Sequence, residues 1–236
     1  MIRPRRNRRA SCSRNRTPRW LAWCAVTGAL SVLIGCGTVV PGTPTWPGAV
    51  LQKMLLTEAD FPAGVQFDLI REDPGAPDGA GSPPSMLSKP PGCANALTDV
   101  IAKSAERGPG SAAKYAVSYD GAHLQMAVLS WSLDLDALAA TATRCEHFET
   151  FFDTQSAGIP ITTTLLPSND GTLIYRQTMD LAGRQSSVYM AFANVGRYAV
   201  FGVVFPTADP TIPVKATLPQ TFTDVVDRQV QRMRAA

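Results

Sequence analysis

Two histidines, His123 and His147, are all that the 236 residues contain, and neither has a second ligating side chain at metal-ligand spacing. A zinc site needs three or four ligands, so no structural zinc is expected, and no other metal or cofactor. The two glycine patterns that cradle phosphates, Gly-x-Gly-x-x-Gly and Gly-x-x-x-x-Gly-Lys, do not occur, which excludes the dinucleotide and nucleoside-triphosphate classes built on them. A Gly-x-Ser-x-Gly nucleophile elbow is missing too. Acidic residues are absent from the first 35 positions, and the apolar stretch 20–34 is only fifteen residues long. A spanning helix needs roughly 20. No internal repeat of fixed period is present.

What the N-terminal region does hold is a long basic head, Arg3, Arg5, Arg6, Arg8, Arg9, Arg14, Arg16 and Arg19, followed by the stretch 20–34 and by Gly35 just before Cys36. Basic head, short apolar centre and small residue are the layout of a cleavable secretory signal. The junction Leu33-Ile34-Gly35-Cys36 resembles the bacterial lipobox. That resemblance implies a diacylglycerylated Cys36 thiol, cleavage before the cysteine and further acylation of the new amine. Two or three chains, at about 0.8 kcal/mol per buried methylene, hold far more firmly than one. Ordinary secretion with Cys36 free, and retention of 20–34 as an uncleaved anchor, are the alternatives. Twin-arginine export is disfavoured because Ala10-Ser11-Cys12 lack its apolar follow-on. The expected organisation is a signal peptide over 1–35, a lipid-bearing Pro/Gly/Thr tether over 36–47 and one globular domain over 48–236.

Cleavage also changes the electrostatic class. The chain has 22 basic and 19 acidic residues, but eight arginines and no acid precede Cys36, leaving 14 against 19 and a mature charge of −5. No basic block remains, so nucleic acid is not an expected partner. Of the five cysteines, Cys12 and Cys24 leave with the signal and Cys36 carries lipid. Cys93 and Cys145 remain, and in an oxidising compartment they are expected to form one disulfide. A redox pair is the alternative; the two are far apart and form no Cys-x-x-Cys.

Along the mature chain, residues 49–56 read as a short strand or helical turn, and Thr57 before Glu58, Ala59 and Asp60 as a helix start. Val65, Phe67 and Leu69 alternate with polar neighbours and predict a strand with one buried face. Proline, glycine and serine dominate 73–92, a long exposed loop. Cys93, Leu97, Val100, Ile101 and Ser104 follow at helical spacing until Gly108-Pro109-Gly110. Residues 115–119 and 123–131 flank Asp120-Gly121, a strong hairpin signal. Asp134 or Asp136 then caps a helix whose apolar positions, Leu135, Leu138, Ala142, Cys145, Phe148 and Phe152, recur every three or four residues. Strands are predicted over 159–166, 172–179, 186–195 and 197–205, joined too tightly for crossover helices and so antiparallel. After a proline-rich loop, a helix over 220–233 gathers Phe222, Val225, Val226, Val230 and Met233 on one side. The sum is an α+β domain, a single curved antiparallel sheet of about six strands with about three helices packed on it.

Candidates for chemistry are few. Ser118, Asp120 and His123 share one hairpin, but residues so close on a ribbon rarely reach the linear arrangement of nucleophile, base and orienter. Asp134 and Asp136 are better explained as negative charge at a helix start, and Glu146 and Glu149 as part of a solvated face. His123 and His147 read as surface or boundary residues. Tyr175, Tyr189, Met190, Phe192, Tyr198, Phe201 and Phe205 crowd the late strands. One face of them is expected in the core and the other partly covered by a helix; the alternative is a concave apolar surface or cleft for a lipid, glycan or envelope protein.

The run Leu55-Leu56-Thr57-Glu58-Ala59-Asp60-Phe61-Pro62-Ala63-Gly64, with Cys93, Cys145 and the Asp134-Leu135-Asp136 helix start, resembles uncharacterised lipoproteins of mycobacteria and related actinobacteria. These are similar in layout to the extracellular sensor domain of the PknH-type serine/threonine kinases. The resemblance spans nearly all of the mature chain and implies a sensor-like or accessory domain. The kinase domain has two disulfides where this chain has cysteines for one, and its ligand cleft does not carry over residue by residue. The expectation is a non-enzymatic envelope lipoprotein on the outer face of the cytoplasmic membrane. Its partners would be the membrane, through lipid on Cys36, and an envelope ligand or protein. The competing readings are a carrier of an apolar envelope lipid or glycolipid, a scaffold for a membrane complex, and a cell-wall-modifying enzyme.

Overall fold

Alternating apolar and polar residues recur over 112–129 and again from residue 159 to 205. A computed structural model, which describes residues 47–70, 86–99, 107–108, 110–169, 171–181 and 183–236, turns that alternation into strands. In chain order the elements are α1 (Pro47–Met54), a 3-10 turn (Glu58–Asp60), β1 (Gln66–Ile70), β2 (Leu87–Lys89), β3 (Ala112–Tyr119), β4 (Ala122–Leu129), α2 (Leu135–Arg144), β5 (His147–Phe151), β6 (Ile159–Leu166), β7 (Thr172–Leu181), β8 (Arg184–Val195), β9 (Tyr198–Phe205) and α3 (Gln220–Ala235). Cys36, the signal 1–35 and the tether up to residue 46 lie outside the described residues, as do 100–106 of the helix expected after Cys93. Among the described residues no helix is long and apolar enough to cross a membrane.

The strands form one open antiparallel sheet in the order β1-β3-β4-β9-β8-β7-β6-β5-β2. It has nine strands, not about six. Two strands at one rim of the sheet escape the sequence signals. β2 lies inside the stretch that reads as loop, and β5 lies where the apolar spacing reads as helix. The second case is instructive, because Cys145, Phe148 and Phe152 satisfy a helical period while Phe148 and Thr150 equally satisfy a strand. Pairing with β6 and β2 settles it: α2 stops at Arg144, Phe148 is buried on β5, and Phe152 is 76% exposed. His147 therefore sits on a strand, not on the helix of Cys145.

β3 and β4 make the expected hairpin, with Tyr119 opposite Ala122 across Asp120-Gly121; Gly121 holds the positive φ, +103°, that the turn demands. β1 pairs with β3 at the edge. There only Val65 and Phe67 are half-buried, and Leu69 is exposed.

Helices cover both faces of the sheet. On the first, α1 and α3 lie over Tyr115, Val117, Leu124, Met126, Ala191, Ala193, Val200 and Val204, with Phe222, Val225, Val226, Val230 and Met233 buried as their spacing predicts. Small residues decide where α3 seats. A Cβ on Gly202 would stand 3.1 Å from Met126 and 3.2 Å from the Phe222 ring, so the glycine makes the room that Phe222 fills. Each such side chain contributes about 2 kcal/mol on burial. On the second face, α2 and Leu97 cover Leu129, Tyr175, Met190, Phe192, Phe201 and Val203. The late aromatics thus divide between two cores, with Tyr189 under α3 and Tyr175, Phe192 and Phe201 under α2.

One polar side chain in α3 is wholly buried. Gln229 accepts from the Leu56 amide (3.1 Å) and donates to the Met54 carbonyl (2.8 Å), joining the end of α1 to α3. Replacing it with leucine strands both backbone groups away from water. Gln229→Leu is expected to lose about 3 kcal/mol, seen as a lower denaturation midpoint at unchanged slope; an unaltered midpoint would dismiss the clamp.

Candidate functional site

Backbone register places Ser118 directly opposite His123, both half-buried, with Ser118 Oγ and His123 Nδ1 2.8 Å apart. On the other side of the ring Gln125 Nε2 lies 3.3 Å from His123 Nε2. The third residue of the conceivable triad is elsewhere. Asp120 Oδ1 accepts from the Asp209 amide (3.2 Å), and its Oδ2 lies 3.9 Å from Lys215 Nζ. Its backbone bonds Val214 and Ala216 at 2.9 Å each. Asp120 ties residues 206–219 around the hairpin tip; it does not orient His123.

The remaining titratable candidates are equally dispersed. His147 is exposed, 3.8 Å from Glu146 and 3.5 Å from Thr162 Oγ1. It lies with Lys89, Glu149 and Pro160 along a shallow open groove. Asp134 caps α2, accepting from the Ala137 amide at 2.9 Å, the helix-start role its position predicts. Among the described residues no three His, Cys, Asp or Glu side chains come together as a metal site. Cys93 and Cys145 stand at disulfide distance, 2.04 Å between sulfurs, buried with Phe148 and Ile161. Through them the segment carrying β2 is fastened to the end of α2.

A polar cluster that sequence spacing does not reveal lies under α3. Arg228 donates to the Asp60 carbonyl and stacks over Phe61, 5.2 Å from its centroid. Asp60 in turn accepts from Thr57 N (2.7 Å) and Thr57 Oγ1 (2.8 Å), and the backbone bond is the main cause holding its carboxyl below the usual range. The nearby Tyr115 hydroxyl is buried with no hydrogen-bond partner among the described residues, and burial drives its pKa well above that of a free phenol. These residues are 168 positions apart in the chain; only the docking of α3 brings them together.

Beyond these clusters the surface carries open grooves. One, about 720 Å³, runs beside the first half of β8 and is lined by Leu181, Arg184, Gln185, Ser186, Ser187, Tyr189, Pro206 and Leu218. A second, about 270 Å³, lies between α2 and β6–β7, with Glu146, Leu165 and Tyr175 on its walls. No protein-family model and no curated protein matches the chain. Among solved structures, an uncharacterised protein from Mycobacterium smegmatis, an Rv0999 ortholog, aligns over 80% of this chain and 95% of its own, with 17% identity and a TM-score of 0.43.

Proposed function

We propose that this chain is an envelope lipoprotein, held by lipid on Cys36 at the outer face of the cytoplasmic membrane, whose domain binds a ligand or partner without catalysing a reaction on it. The observation that carries the non-enzymatic part is Asp120. Asp120, the carboxylate of the same hairpin, is committed to the 206–219 loop, so among the described residues it does not orient the pair. A hydrolase with serine as nucleophile needs that third group aimed at the ring. The location rests on the layout of residues 1–36, and a buried cysteine pair suits the oxidising side of the membrane.

Intact mass spectrometry of the protein extracted from its own membranes is the direct test. The expected species begins at Cys36, carries two or three acyl chains, and co-purifies with a stoichiometric ligand or protein. A mass retaining residues 1–35 would overturn the anchor, and a covalent adduct of an activated-ester probe on Ser118 would overturn the non-enzymatic reading.

A further inference from the structure

β8 is twelve residues long and β7 pairs with it along its length, from Leu181–Arg184 to Thr172–Ala193. β9 pairs with it only from Tyr189–Val204 to Val195–Tyr198. Among the described residues, 184–188 therefore have no strand beside them on the β9 side. The cause is Pro206, which stops β9. The chain then turns aside to pair Thr207 with Gly121, 2.9 Å from Gly121 N to Thr207 O.

Both turns flanking β8 have two residues, so the pairs that close them, Leu181–Arg184 and Val195–Tyr198, exchange hydrogen bonds directly. Counting by twos from Arg184, the even-numbered residues of β8 bond to β7. Counting by twos from Val195, the odd-numbered ones face β9. Gln185 and Ser187 thus turn their N–H and C=O groups into the empty lane, and neither backbone has a bond there among the described residues. The lane is the 720 Å³ groove. Its walls are apolar at the Pro206 end, with Tyr189 and Leu218. Arg184 stands at the open end, the one charged side chain in the lining.

We propose that this lane takes an extended peptide of four or five residues as an added strand, antiparallel to β8, carrying a carboxylate at its C-terminal end. The proposal rests on the binding-domain reading above and names the class of partner. Five residues at about 3.4 Å each span the overhang, and residues opposite Gln185 and Ser187 gain two hydrogen bonds apiece, the strand-addition mode of recognition. Direction follows from the lane. It continues β9, so the peptide's N-terminus abuts Pro206 and its C-terminus reaches Arg184. Among the described residues no acid lines the groove, while the mature domain as a whole is negative. Acidic peptides are therefore attracted at Arg184 and not by the surface at large.

The test immobilises the full mature chain in detergent micelles and passes over it two pentapeptide libraries randomised at every position, one with free and one with amidated C-termini. Retained peptides are sequenced by mass spectrometry. Retention of β-forming sequences ending in Asp or Glu in the amidated library assigns Arg184 to a side-chain carboxylate. Retention from the free-terminus library alone, without regard to the last residue, assigns it to a C-terminus. Arg184→Glu is expected to cut retention at least tenfold, and Ser187→Pro, which removes an N–H with no bond among the described residues along with the hydroxyl contact to Thr178 Oγ1 at 2.9 Å, to abolish it. As a check independent of mutation, the retained peptides should slow hydrogen exchange at the Gln185 and Ser187 amides. No retention, retention of amidated peptides that lack an acidic residue, retention indifferent to both variants, or concentration-dependent protection of these amides without peptide (a second copy filling the lane) would each overturn the proposal. The anchor is read separately by mass, so either can fail alone.

Discussion

Removing the bridge, as Cys93→Ala with Cys145→Ala, is expected to lower stability by about 4 kcal/mol, the chain-entropy value for closing a loop of 52 residues. For a domain of this size that corresponds to a fall in Tm of about 10 °C. The loss should be uneven. β2 is only three residues long and pairs with β5 alone. Its other ties are the bridge, the Cys93 amide donating to Ser88 Oγ at 2.9 Å and the Arg144 guanidinium donating to the Pro91 carbonyl at 3.4 Å. Without the bridge, hydrogen exchange should quicken first at β2 and β5, while β3, β4, β8 and β9, packed on both faces, keep near-native protection. Uniform acceleration across the sheet would mean that the bridge supports the whole core and not one rim. An unchanged Tm would mean that the two cysteines are not joined in the isolated protein.

Under the proposed anchor, Cys36→Ser removes the only acylated residue, and the protein is expected to move almost wholly from the membrane to the soluble fraction. The magnitude follows from counting. Two or three acyl chains at about 0.8 kcal/mol per buried methylene exceed any attraction that a mature surface of net charge −5 could have for anionic lipid. Phase partitioning in a detergent that clouds on warming reads this directly, with the parent chain in the detergent-rich phase and the variant in the aqueous one. A variant that stays with the membrane would make residues 20–34, uncleaved, the anchor.

The late strands were legible because three independent signals coincide in them: two-residue alternation, β-branched and aromatic content, and turn residues at the right distances. Their expected bounds lie within a few residues of those observed. The hairpin at Asp120-Gly121 and the apolar stripe of α3 were legible for the same reason, since each is local and each face is set by its own spacing. β5 was not. Five residues with Phe148 and Thr150 inward carry too little pattern to distinguish a strand from the last turns of a helix, and the neighbours that decide it are β6 and a strand some sixty positions earlier. Asp120 shows the same limit in a polar residue. Its place in a tight turn was readable from Asp-Gly, but its bonds to Asp209, Val214 and Ala216 exist only because Pro206 turns the chain back over the hairpin.

By itself the sequence determined the α+β class, the antiparallel run of late strands, the face that α3 buries and which two cysteines were left to meet. All of these depend on the period of apolar residues, on turn chemistry or on simple counting, which are properties of neighbours in the chain. Only the tertiary structure decided the number of strands, the division of the aromatics between two cores, the burial of Gln229 between α1 and α3, and the lane beside residues 184–188. The physical reason is common to all four. Each depends on which distant backbone or side chain comes alongside, and that is set when strands choose partners and helices choose the small residues, such as Gly202, on which they can seat.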